Sequence, residues 1–149
     1  MSRDWYDPEV DLDADDWLAA DGLERTRLVE EYHRDEIIGI PEAAQRMHAC
    51  LHVVVENQLA SQDQPVVRAL ARLMEEGLSR HDALHAIACV VCEELHDLLE
   101  RNVTPETADA RYYAGINRLT AATWGEYSEE QQRNRQRHRP FAATRSHAE

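Results

Sequence analysis

Apolar side chains recur at helical intervals along most of this chain, in stretches bracketed by helix start and stop signals. Leu28, Val29, Tyr32 and Ile37 form the first stripe. Asp21 opens it, Glu24 completes a capping-box pattern three residues on, and Gly39 with Pro41 ends it. A second helix is predicted from near Pro41 to about Leu59, with Ala44, Met47, Leu51, Val55 and Leu59 as its stripe and Val54 at the margin. The run Val53-Val54-Val55 would suit a strand, but an isolated strand has no partner here, so the helix is preferred. Asp63-Gln64-Pro65 starts a short helix carrying Val66, Val67, Leu70, Leu73 and Met74, closed by Gly77. Ser79, with Asp82 in the capping-box position, starts a fourth helix running to about Leu99 along Leu84, Ile87, Ala88, Val91, Leu95 and Leu98. Thr104-Pro105 starts a fifth through Tyr112, Ile116 and Leu119 to about Trp124.

The predicted fold class is therefore all-α, a small helical bundle of about five helices over residues 21–124. Residues 1–20 read as a loose acidic arm in which Trp17-Leu18 can dock as an anchor, and 125–149 as an exposed Arg-rich tail. With 149 residues the chain is one domain's worth of polymer, long enough to bury a core. Only 5 Gly and 5 Pro disfavour a turn-rich β-sandwich. The net charge of -13 argues against general nucleic-acid binding. Every strongly basic residue is Arg, which excludes a lysine Schiff base and a P-loop lysine. Met1 to Asp16 lacks the basic and apolar regions of a signal peptide, and no apolar run is long enough for a bilayer. The three cysteines, Cys50, Cys89 and Cys92, read as reduced, buried small residues of a cytoplasmic protein.

Candidate chemistry comes from histidine spacing. His48, His52 and Glu56 lie four apart on the second predicted helix and climb one edge of it; relative to Leu51 and Val55, His48 falls on the buried side and Glu56 is turned toward solvent. His81 and His85 are also four apart, on one flank of the Leu84 stripe. Chance supplies about 0.4 such His pairs in a chain of this composition, and two are present. Two antiparallel helices joined through a short intervening helix can bring these edges together, and imidazole with carboxylate suits zinc, iron, manganese or nickel. Against this stands the plainer possibility of hydrogen-bonded histidines that orient helices.

Other groups compete less well. Cys89-x2-Cys92-x3-His96 resembles a zinc string, but it lies within a helix rather than in a tight turn. His33 can reach the site or simply favour a helix C-terminus. Arg133, Arg135, Arg137, His138 and Arg139 suggest contact with RNA or an acidic partner, though on so acidic a chain a solvated tail is preferred.

The segment His48-x3-His52-x3-Glu56-Asn57-Gln58, then Asp63-Gln64-Pro65, then Gly77-Leu78-x-Arg80-His81-x2-Leu84-His85-Ala86-Ile87 resembles a bacterial family, domain of unknown function 1841. The similarity runs from about Trp17 to Trp124. It implies a small helical bacterial protein with no assigned activity, and it marks His48, His52, Glu56, Asn57, Arg80, His81 and His85 as family-like positions. Cys89 and Cys92 fall where that family carries small residues, which weakens a cysteine site.

The leading expectation is a metal-binding helical protein, hydrolase-like or oxygen-handling, holding a divalent transition metal (zinc or iron). Its ligands would be His48, His52, His81 and His85, with Glu56 as ligand or general base and Asn57 and Arg80 around them. The alternative is a non-enzymatic interaction or regulatory module with a metal-free histidine network; a nucleic-acid binder acting through the tail ranks third. No membrane partner is expected, and a homodimer is compatible with a helical bundle.

Overall fold

In a computed structural model of the chain, residues 4–34, 41–101 and 103–137 are described, with position 135 as backbone only. Ile37 and Gly39 at the expected end of the first helix, the Arg135 side chain, and His138 and Arg139 of the tail lie outside the described parts. The described residues form seven helices and no strand: α1 Ala14–Ala19, α2 Gly22–His33, α3 Glu42–Ala60, α4 Gln64–Glu75, α5 Arg80–Arg101, α6 Pro105–Arg118 and α7 Ala121–Arg137. None of the described helices is long and apolar enough to cross a membrane.

The local start signals act where expected except at α4, where Asp63 makes no capping bond and its carboxylate accepts from the Tyr113 hydroxyl at 2.9 Å. Asp21 accepts from the Glu24 amide at 2.9 Å, Thr104 caps α6 through the Thr107 amide, and Ser79 Oγ accepts from the Asp82 amide at 3.1 Å. Gly77 sits at φ 107, the left-handed turn that closes α4. Between α3 and α4 that conformation falls instead on Gln62, at φ 58.

Five predicted helices become seven at the two ends. The arm contains α1, begun by Asp13, whose side chain accepts from the Asp16 amide. The arm is also not loose: Tyr6 is 5% and Trp17 1% exposed. The predicted fifth helix divides at Leu119, which turns to an extended conformation. Arg72 Nη2 donates to the carbonyls of Ile116 and Leu119 at the end of α6, both at 3.0 Å. Glu76 accepts from the Ala121 amide at 2.7 Å, and Thr120 and Thr123 cap each other's amides, so α7 starts afresh. It then stays helical to Arg137, well past the expected end of order near Tyr127.

α3 lies between two apolar clusters. Val55 joins Val66, Leu70, Leu73, Leu84, Ile87 and Ile116 from α4, α5 and α6. Ala49 and Val53 join Tyr6, Trp17, Leu28 and Val29 from the arm, α1 and α2. Residues 53 and 55 are about 200° apart on a helix, so the Val53-Val54-Val55 run serves two opposite faces and leaves Val54 37% exposed. The predicted single stripe therefore overstated Met47, which is exposed, and missed the second buried face.

Candidate metal centre

The antiparallel passage of α3 against α5, joined through α4, brings the two histidine pairs face to face. His52 Nε2 lies 2.9 Å from His85 Nε2. α2 adds a fifth ring: His33 Nε2 lies 3.1 Å from His81 Nε2. Ring centroids are 4.3 Å apart for His81–His85, 4.6 Å for His33–His48 and 5.0 Å for His48–His85. One ligand atom from each of His33, His48, His52 and His85 falls within 4.8 Å of all the others, close enough to hold a metal ion. Nitrogens bound about 2.0–2.1 Å from a single tetrahedral ion stand roughly 3.3–3.4 Å apart, a little more than the hydrogen-bond distance between His52 and His85 within this set.

The groups behind the rings set their tautomers. His33 Nδ1 lies 2.8 Å from the Val29 carbonyl, which only accepts, so Nδ1 carries the proton and Nε2 the lone pair. His52 Nδ1 lies 3.2 Å from the Tyr6 hydroxyl, whose one hydrogen goes to Glu56 Oε1 at 2.9 Å. His52 Nδ1–H must then donate to the Tyr6 oxygen, and its Nε2 too faces the cluster unprotonated. Imidazoles that ligate metals are commonly oriented this way, through the ring nitrogen not on the metal. His48 Nε2 is buried and has no hydrogen-bond partner among the described residues.

Burial first, and the neighbouring imidazoles second, push His48 down to about 4 and His85 to about 3. His52 is pushed well below the usual histidine range by burial and then by His85 and the other rings. At neutral pH these three rings are uncharged, the form that binds a metal ion.

Glu56 departs from expectation. It is 1% exposed rather than turned to solvent, because the arm covers the second face of α3. Arg80 Nη1 donates to its Oε1 at 2.8 Å and Nη2 to its Oε2 at 3.0 Å. With Tyr6 also donating to Oε1, both oxygens are engaged, and Glu56 sits behind the cluster as the acceptor that orients Tyr6 and, through it, His52. That removes it as a ligand or general base in this arrangement. Arg80 also donates to the Pro8 carbonyl and Asp11, tying the arm down. Asn57 is not beside the cluster's rings; its Oδ1 accepts from Trp17 Nε1 at 2.8 Å and Arg25 at 3.0 Å, fastening α1 and α2 to α3.

A chamber of about 790 Å³ opens beside the histidines, lined by His33, His48, His52 and His85 at one end and by Trp124 and Tyr127 of α7 elsewhere. Cys89, Cys92 and His96 continue the His85 flank of α5 along its wall. All three cysteines are free, but Cys50 and Cys92 are exposed rather than buried. Burial raises the Cys89 thiol, which opposes a thiolate nucleophile there.

Sequence reasoning missed Tyr6, and placed His33 only as one of two options. The available signal for Tyr6 was an aromatic residue beside Pro8 in an otherwise acidic arm. No family model matches the chain, and neither a curated protein nor a solved structure matches it.

Proposed function

We propose that this protein binds a divalent transition-metal ion among His33, His48, His52 and His85, with His81 beside them, and uses it on a small molecule admitted through the chamber. The observation that carries the reading is the convergence of these nitrogens together with His48 Nε2, buried and without a partner among the described residues. A buried polar atom left unsatisfied is costly, and a metal bond removes that cost. An all-imidazole set suits zinc, iron, copper or nickel. The chamber supports an open coordination position, the arrangement of catalytic rather than structural sites, serving hydrolysis by metal-bound water or the handling of oxygen. Membership in the family that His48 to Ile87 resembles, and a reducing, cytoplasmic location that suits three free thiols, belong to the same proposal.

A metal-free reading has one observation in its favour. His85 Nε2–H can donate to His52 Nε2, and His81 Nε2–H to His33 Nε2, so four of the five rings pair without an ion. Elemental analysis of the native protein separates the two. Stoichiometric metal that falls away in His52→Ala and His85→Ala variants supports the centre. Protein without metal, and with no thermal shift on adding Zn²⁺ or Fe²⁺, leaves the clamp of helices as the function of these rings.

A further inference from the structure

The ligand set proposed above contains no anion. Neutral imidazole is its donor type, and the carboxylate nearest behind it, Glu56, is already neutralised by a two-point contact with Arg80. A divalent ion held there keeps both positive charges in a partly buried place, where charge without a counter-ion is costly. The missing negative charge comes from whatever takes the open position, a hydroxide from bound water or an anion that enters through the chamber.

The chamber restricts what can supply it. Its volume of about 790 Å³ is that of a small-molecule site. Leu51, Ala88 and Trp124 give it an apolar wall between the histidines and α7. Among the described residues that line it there is no Arg, and the chain has no Lys. The one carboxylate among those residues, Glu93, is exposed. A phosphate or nucleotide would find no guanidinium among the described lining residues and would meet both Glu93 and a chain of net charge -13. A neutral apolar molecule would fit the wall but leave the metal's charge uncompensated.

We infer that the chamber takes a small organic monoanion of the carboxylate or hydroxamate type. One oxygen binds the metal at its open position, and the hydrocarbon body lies along Leu51, Ala88 and Trp124. This inference rests on the metal reading. The metal supplies the affinity for the charged end and the wall selects the length of the apolar end.

The test uses the full chain loaded with Co²⁺, whose visible absorption reports changes in the coordination sphere. The loaded protein is titrated with acetate, butyrate, hexanoate and inorganic phosphate. The expected result is a spectral change with each carboxylate and an affinity that rises about fourfold per added methylene, about 250-fold from acetate to hexanoate. Phosphate is expected to produce no change at the same concentrations. A Co²⁺-loaded protein that responds to no carboxylate, binds acetate and hexanoate equally, or prefers phosphate overturns the inference while leaving the metal centre standing. A chain that takes up no Co²⁺ at all refutes the metal reading, and this inference with it.

Discussion

Replacing Glu56 by Ala tests the joint that holds the N-terminal arm against the histidine helices. Arg80 is 4% exposed and Glu56 1%, so the substitution strands a guanidinium away from water. Nη2 loses its bond to Oε2, while Nη1 keeps the Pro8 carbonyl and Nε keeps Asp11. The Asp11 side chain is 91% exposed and compensates weakly. Breaking a buried ion pair from one side costs about 3–5 kcal/mol, and the surviving acceptors put Glu56→Ala near the lower end, about 3 kcal/mol. With a urea m-value of about 2 kcal/mol/M, the midpoint should fall by about 1.5 M, followed by helical circular dichroism at 222 nm. The double variant Glu56→Leu/Arg80→Met removes both charges and should lie within about 1 kcal/mol of the parent. With Glu56→Leu and Arg80→Met as the single variants of that cycle, the coupling between the two positions should exceed about 2 kcal/mol. A Glu56→Ala cost under about 1 kcal/mol, or single effects that simply add, would refute the assignment of this pair as a buried joint.

Tyr6→Phe removes the acceptor of His52 Nδ1–H and one donor to Glu56; it should cost about 1–2 kcal/mol of stability and weaken metal binding about 10- to 100-fold, measured by competition with a chelator of known affinity. For the metal-free protein, His48 near 4 and His85 near 3 in the folded state stay neutral while the unfolded chain takes up protons below its ordinary value of about 6.5. Their contribution to stability is therefore intact above that value and is lost as pH falls, by up to about 2 kcal/mol each at pH 5; urea midpoints that stay level from pH 7 to pH 5 would contradict it. Gly115→Ala would place a Cβ 2.8 Å from Val90 Cγ1. The overpacking, about 1–3 kcal/mol, should outweigh the roughly 1 kcal/mol gain in helix propensity, so thermal unfolding should come several degrees earlier.

Much of this protein follows from neighbours in sequence. The starts of α2, α5 and α6 rest on Asp21, Ser79, and Thr104 with Pro105, and that of α4 on Pro65, each acting within one turn of backbone; the expected Asp63 cap is not made, because its side chain accepts from the Tyr113 hydroxyl instead. The pairing of His48 with His52 and of His81 with His85 is likewise a property of one helix, because four residues advance about 400° and return to the same face. Such features depend on distances of a few residues and survive any change in what packs against them.

Other features depend on which surfaces meet. The division between α6 and α7 follows from Arg72 of α4 and its C-cap Glu76 reaching backbone groups more than forty positions away. Glu56 looked solvent-facing because a single stripe along α3 leaves its side open. It is buried because Tyr6 and Pro8 cover that side, and its charge tolerates burial only because Arg80 arrives from α5. His33 joins the cluster because the Leu28 and Val29 face of α2 packs on Ala49 and Val53 of α3, which turns the last residue of α2 toward His48 and His81. The five rings thus become one site by the placement of α2, α3 and α5 together. Burial, ion pairing and the protonation of those rings are properties of that packed interior, and the order of residues along any one helix does not contain them.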